Sequence, residues 1–187
     1  MRHELILGGQ RSGKSRCAEG RARAWLADDP GRSVLLIATA RALDDEMRER
    51  IARHRLDRAA RVPAMATLEE PVALAEALRA HAKPQRLIVV DCLTLWLTNL
   101  VMPQRGEPLD DAALAAARDA VIDALRSATE PVVLVSNEIG LGVSPLGADT
   151  RRFVDELGRL HQAVAELCSR VTLMVAGIEL AVKGAVR

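Results

Sequence analysis

Short, continuous apolar runs punctuate the chain, separated by longer stretches in which apolar residues recur every three or four positions. The runs are Leu5-Ile6-Leu7, Val34-Leu35-Leu36-Ile37-Ala38, Leu87-Ile88-Val89-Val90, Pro131-Val132-Val133-Leu134-Val135 and Val171-Thr172-Leu173-Met174-Val175-Ala176-Gly177. Lacking polar alternation, they suit parallel strands covered on both faces. Between them, helical faces are marked by Ala18, Ala22, Trp25 and Leu26, by Leu43, Met47 and Ile51, by Leu74 and Leu78, by Leu114, Val121 and Leu125, and by Phe153, Leu157, Leu160, Val164 and Leu167. Strand then helix, repeated about five times, predicts a mostly parallel sheet with helices on both faces.

Local signals refine this outline. Thr67-Leu68-Glu69-Glu70-Pro71 reads as a capping box that opens a helix. Cys92 to Leu100 is too apolar to face water and predicts a buried helix. Met102 to Pro108 is a surface connector rather than a domain boundary, because neither side alone completes a sheet, so one domain over residues 1–187 is expected. Arg151-Arg152 stand in the first turn of the helix that begins near Asp149, against the dipole preference, which an anionic ligand or a neighbouring subunit would explain.

Composition narrows the function. A formal net charge of +1 and 2% aromatic residues argue against a nucleic-acid surface, which needs excess positive charge or stacking platforms. The three cysteines, Cys17, Cys92 and Cys168, have neither zinc-ligand nor disulfide spacing and fit a reducing compartment. No apolar run reaches membrane-spanning length and the N-terminus enters a strand at once, so a cytoplasmic protein without membrane insertion is expected.

The chemistry begins at Gly8-Gly9-Gln10-Arg11-Ser12-Gly13-Lys14-Ser15, a G-x-x-x-x-G-K-S pattern between a strand and a helix. In such a loop, backbone N–H groups curl around phosphate oxygens, the Lys14 ammonium sits over the outer phosphates, and the Ser15 hydroxyl joins a magnesium shell. Asp91, closing an apolar strand, is the expected acidic partner for that metal. Arg50, Arg53, His54, Arg55, Arg58 and Arg61 form a basic cluster: either a solvated helix end or a lobe that brings positive charge over the phosphates. Ser136 to Pro145, polar at its head and carrying Gly140 and Gly142, has the look of a site loop at a strand's carboxyl end, against the alternative of a plain connection.

Together these segments resemble the bifunctional adenosylcobinamide kinase and adenosylcobinamide-phosphate guanylyltransferase family of cobalamin biosynthesis. The markers are the loop Gly8 to Ser15, Ile37-Ala38-Thr39-Ala40, Leu43-Asp44-Asp45-Glu46-Met47 with Arg50-Ile51 and His54-Arg55, Asp91 to Asn99, Ser136 to Gly142, and the tail from Val175 to Lys183. The resemblance implies a P-loop NTPase-like (RecA-like) α/β fold and two reactions. A nucleoside triphosphate, ATP or GTP with Mg²⁺, phosphorylates adenosylcobinamide; GMP from GTP is then transferred onto adenosylcobinamide phosphate through a guanylyl-histidine intermediate.

By motif position that histidine is His54, in the context Arg50-Ile51-Ala52-Arg53-His54-Arg55. The resemblance also assigns Ala38, Thr39 and Ala40, the run Arg55, Leu56, Asp57 and Arg58, and the acids Glu69 and Asp91 to the nucleotide site, and it implies a homo-oligomer, a trimer. The segment Arg58-Ala59-Ala60-Arg61-Val62-Pro63-Ala64-Met65 departs from the family pattern, with a short insertion and Met65 in place of an aromatic residue. Two rival readings remain at this level: a monofunctional small-metabolite kinase, and a regulatory GTPase or assembly ATPase, for which no N-K-x-D guanine loop is evident.

Overall fold

The computed structural model describes residues 3–42, 45–104 and 106–184. In chain order the elements are β1 (His3–Gly8), α1 (Lys14–Asp28), β2 (Ser33–Ala38), α2 (Asp45–Arg61), β3 (Met65–Glu69), α3 (Leu74–His81), β4 (Arg86–Asp91), α4 (Leu93–Val101), α5 (Asp111–Ser127), β5 (Val132–Val135), α6 (Ala148–Leu167), β6 (Arg170–Val175) and β7 (Ile178–Lys183). One sheet runs in the order β3-β2-β4-β5-β1-β6-β7. All pairs are parallel except β6 with β7. The predicted strand–helix alternation and double-sided cover are therefore present.

Each apolar run divides its residues between two cores. Leu5, Leu35, Ile37, Ile88, Val90, Val132 and Leu134 point into the layer built by α3, α4, α5 and α6. Their neighbours Ile6, Val34, Leu36, Leu87, Val89, Val133 and Val135 point to the other face, against Cys17, Ala18 and Ala22 of α1. The two-residue period of a strand and burial on both faces thus account for runs with no polar alternation. The same layout puts every carboxyl end of β1, β2, β4 and β5 on one edge, where the loops that carry chemistry emerge.

Two segments differ from the sequence expectation. Residues 67–69 do not open a helix: they belong to the edge strand β3, paired with β2 from Val34↔Met65 to Ala38↔Glu69. The cap comes instead from Glu70, whose Oε1 accepts the N–H groups of Val72 and Ala73 at 2.9 and 2.7 Å ahead of α3. The Thr-x-x-Glu pattern fits a capping box locally, but a free ladder edge on β2 offers this stretch a full set of backbone partners. The tail folds back as well, with Ala176 at φ 51° and Gly177 at φ 82° forming a two-residue turn that pairs Val175 with Ile178.

Arg151 and Arg152 have partners within the chain. Arg151 donates to the Pro145 carbonyl at 3.0 Å, and Arg152 meets Asp111 and the Leu109 carbonyl at 2.8 and 2.9 Å. Their placement against the helix dipole is met by these contacts. Leu43 of the predicted face Leu43, Met47 and Ile51, its neighbour Asp44, and Arg105 of the connector lie outside the described residues, as do the side chains of Met47 and Arg50. Among the described residues no helix is long and apolar enough to cross a membrane.

Candidate active site

The glycine-rich loop bridges β1 and α1 on the carboxyl edge. Gly8 sits at φ 149° and Gly13, the residue capping α1, at φ 102°. No side chain caps α1, so the N–H groups of its first turn face the loop's interior. The Lys14 ammonium folds over the loop and donates to the carbonyls of Gly8 and Gly9 at 2.9 and 2.6 Å. Ser12 Oγ is enclosed and has no hydrogen-bond partner. A lysine folded over a loop whose helix N–H groups no side chain caps is an arrangement completed by phosphate oxygens.

Across the crevice, Ser15 Oγ donates to Asp91 Oδ2 at 2.9 Å. Among the described residues no group of three or more His, Cys, Asp or Glu side chains could hold a metal alone. A hydroxyl and one carboxylate beside a phosphate cradle nevertheless fit Mg²⁺, which takes few protein oxygens and completes its shell with phosphate and water.

Ala38, Thr39 and Ala40 leave β2 next to Asp91. Thr39 is wholly buried: its hydroxyl donates to the Cys92 carbonyl at 2.7 Å and accepts the Cys92 N–H at 2.8 Å. Its backbone N–H donates to the Asp91 carbonyl at 3.1 Å, and Asn99 Nδ2 donates to its carbonyl at 2.9 Å. Thr39 therefore locks the end of β2 to the end of β4. Ala38 and Ala40 on either side of it are half-buried, Ala38 packing against the core cluster on the α1 face.

Helix α2 brings the basic cluster to this edge. Arg61 pairs with Glu19 of α1 at 2.9 Å and with Asp57 at 3.6 Å. Arg58 is half-buried; desolvation pulls its pKa below the ordinary arginine value, while the charges of Asp91 and Glu19 oppose that shift. Arg55 forms an ion pair with Glu69 at the end of β3, and Leu56 is 74% exposed on the far side. At about 100° per residue, His54, Arg58 and Arg61 share one stripe of α2. His54 is solvent-exposed one turn, about 5.4 Å along the axis, beyond Arg58. Arg61 thus fastens the end of α2 to α1, while Arg53, His54 and Arg55 are exposed.

A buried polar chain that sequence reading passed over supports the loop after β5. Ser136 Oγ lies 3.0 Å from Thr94 Oγ1 and 2.7 Å from His161 Nε2, and Asn137 N donates to Thr94 Oγ1 at 2.7 Å. Glu138 stands 3.8 Å from His161 Nδ1, and its backbone N–H donates to the Gly8 carbonyl at 3.0 Å. Burial holds the His161 pKa below the usual histidine value, with Glu138 opposing. In sequence His161 occupies an ordinary inward helical position; only the pairing of α6 with the end of β5 reveals its partners.

A strand–loop–helix phosphate cradle with a strand-end acid, on a parallel sheet of this order, defines the RecA-like class of P-loop nucleotide-binding proteins. Solved structures agree on the fold: one ATPase domain superposes with a TM-score of 0.53 at 12% identity over 92% of this chain and 68% of that one. The flagellar accessory protein FlaH from Methanocaldococcus jannaschii does so with a TM-score of 0.50 at 13% identity, over 97% of this chain and 78% of that one.

Sequence comparison gives the family. The family model described as "Cobinamide kinase / cobinamide phosphate guanyltransferase" matches residues 4–182. The chain is 51% identical over 181 residues to the bifunctional adenosylcobalamin biosynthesis protein CobP of Pseudomonas aeruginosa, covering 97% of each. It is 37% identical over 187 residues to the corresponding CobU of Escherichia coli, covering 96% of this chain and 98% of that one. The chain belongs to the cobinamide kinase / cobinamide phosphate guanyltransferase family and is an enzyme of that family.

Proposed function

We propose that one phosphate-binding loop serves both reactions of the family in this chain, with His54 as the nucleophile of the second. The observation that carries the reading is the convergence of two devices on one edge of the sheet. The cradle of Lys14, Ser12, Ser15 and Asp91 grips a triphosphate, and the stripe Arg61, Arg58, His54 of α2 is fastened beside it through Glu19. Gly8 to Ser15 supply the phosphate grip, and Ser15 with Asp91 holds Mg²⁺, which when bound neutralises charge on the phosphate oxygens.

In the kinase step the hydroxyl oxygen of adenosylcobinamide attacks the γ-phosphorus of ATP or GTP. The bond from that phosphorus to the β-bridging oxygen breaks, the nucleoside diphosphate leaves, and the hydroxyl proton passes to solvent. Lys14 and the loop N–H groups stabilise the charge that develops.

In the second step a neutral His54 nitrogen attacks the α-phosphorus of GTP. Pyrophosphate leaves against the loop and a phosphorus–nitrogen bond forms. A phosphate oxygen of adenosylcobinamide phosphate then displaces the imidazole, giving adenosylcobinamide-GDP. Arg58 and Arg55 supply positive charge to the α-phosphate, while Glu69 holds Arg55 and Ala38, Thr39, Ala40, Leu56 and Asp57 complete the walls of the nucleotide site.

The apolar side chains of Ile178, Leu180 and Val182, 70, 55 and 63% exposed along the edge strand β7, support a homo-oligomer, with a trimer implied by family resemblance. The mechanistic test is covalent labelling. Incubation with α-labelled GTP is expected to tag the wild-type chain through an acid-labile, base-stable bond, and His54→Ala is expected to remain unlabelled while phosphorylating adenosylcobinamide. Equal labelling of the variant would remove His54 from the reaction.

A further inference from the structure

The two reactions of the bifunctional reading ask different things of the attacking atom. In guanylyl transfer the attackers are a neutral imidazole nitrogen and a phosphate monoester, whose second pKa of about 6 leaves it largely unprotonated at neutral pH. In the kinase step the attacker is an alcohol, which still carries its proton. Only that step calls for a base within reach of the outer phosphate.

Sheet topology brings one carboxylate to that place. β5 lies between β4 and β1, so the chain leaving β5 emerges between Asp91 and the phosphate-binding loop. Glu138 is the third residue past the strand. Its backbone N–H donates to the Gly8 carbonyl oxygen at 3.0 Å, and the same oxygen accepts Lys14 Nζ at 2.9 Å. Lys14 is the group that sits over the outer phosphates of a bound triphosphate, so Glu138 stands at the γ end of the nucleotide rather than the α end.

The surrounding acids are otherwise engaged. Asp91 receives the Ser15 hydroxyl, Glu19 and Glu69 are paired with Arg61 and Arg55, and Glu70 caps α3. Among the described residues no arginine or lysine forms an ion pair with Glu138. Its side chain is 21% exposed: Oε1 accepts the Gly140 N–H at 2.7 Å, and Oε2 stands 3.8 Å from Nδ1 of the buried His161. Burial lowers the His161 pKa, so that ring is uncharged at neutral pH and does not tie Glu138 in a salt bridge. The hydrogen bonds among Ser136, Asn137, Thr94 and His161 fix the residues that carry Glu138 out of β5.

We propose that Glu138 is the general base of the kinase step. Its carboxylate takes the proton from the adenosylcobinamide hydroxyl as the hydroxyl oxygen bonds to the γ-phosphorus and the bond to the β-bridging oxygen breaks. The proton then leaves for solvent from the exposed part of the side chain. The inference rests on the bifunctional reading and names a residue that one of its two reactions uses and the other does not.

The test uses the full chain and both reactions. Glu138→Gln keeps an oxygen for the Gly140 N–H and removes the base. It is expected to lower kcat for adenosylcobinamide phosphorylation about 100-fold or more, with the KM for the triphosphate within about twofold of wild type. Enzyme–GMP formation from α-labelled GTP should stay within about twofold of wild type, which also reports that the variant is folded. A merely structural role would spare Glu138→Gln and impair only Glu138→Ala, whereas loss of the base impairs both alike. Glu138→Asp, which keeps a carboxylate one methylene shorter, is expected to retain more kinase activity than Glu138→Gln.

A kinase kcat for Glu138→Gln within about threefold of wild type would overturn the proposal. So would an equal loss in both reactions, which would put Glu138 in the shared phosphate grip, or a Glu138→Asp variant no more active than Glu138→Gln. A wild-type chain that phosphorylates adenosylcobinamide but forms no enzyme–GMP would refute the bifunctional reading instead, and the kinase kcat of Glu138→Gln would still decide the base.

Discussion

Gly8 and Gly9 open the phosphate-binding loop side by side, yet the structure predicts opposite outcomes for adding one methyl group to each. At Gly8, φ is 149°, a region essentially reserved for glycine, and a Cβ would lie 2.5 Å from the Met174 carbonyl oxygen and 2.6 Å from Ser12 Oγ. The hydroxyl can rotate away. The carbonyl cannot, because Gly8 and Met174 face each other in the β1–β6 ladder. Backbone strain of about 1–3 kcal/mol and overpacking of about 1–3 kcal/mol add to about 2–6 kcal/mol for Gly8→Ala. Local escape of the loop is no cheaper route, since Gly8 also accepts Lys14 Nζ and the Glu138 N–H through its carbonyl.

At Gly9 a Cβ meets nothing within 4 Å and φ is not positive. Gly9→Ala therefore acts through the unfolded chain alone and is expected to be neutral or stabilising by up to about 1 kcal/mol. Urea unfolding without nucleotide measures the difference: with a slope of about 2 kcal/mol/M, the Gly8→Ala midpoint should fall by about 1–3 M while that of Gly9→Ala holds or rises. Equal midpoints for the two variants would refute the reasoning. Nucleotide binding should follow the same order, because Gly8 sets the direction in which the loop leaves β1.

Two further outcomes follow from the buried histidine and the exposed edge. Because burial lowers the His161 pKa in the folded chain, the unfolded chain binds the extra proton as pH falls below about 6.5, so stability present above that pH is lost down to the folded pKa. His161→Gln should flatten the pH dependence of unfolding free energy below about pH 6.5, by no more than about 1.4 kcal/mol per pH unit, and parallel curves for the two proteins would contradict it. A paired Ile178→Asp/Leu180→Glu change puts charge on the uncovered face of β7 and is expected to shift the sedimenting species from oligomer to monomer; a wild-type monomer would remove the oligomer proposal.

Much of the scaffold is written locally. Continuous apolar runs specify β1, β2, β4, β5 and β6, because a strand buried on both faces needs no polar positions. The loop at Gly8 to Ser15 is equally legible, since φ-positive glycines and a lysine at fixed spacing are required wherever backbone N–H groups wrap an anion. Asp91 closes its run one residue after Val90, and the structure puts its carboxylate 2.9 Å from Ser15.

What sequence left open depends on partners far along the chain. Thr67 to Glu69 satisfy a capping pattern and a strand edge equally well, and only the free side of β2 decides for the strand. The tail after Gly177 returns as β7 because a ladder edge on β6 is there to be covered. His161 is one more inward helical position until Ser136, 25 residues away, gives it a hydrogen bond. Local chemistry thus determined the strands, the phosphate cradle and the family pattern around His54. The tertiary structure decided where α2 is fastened, by Arg61 to Glu19 of α1, because charge pairing is a property of surfaces that meet only after the sheet has formed.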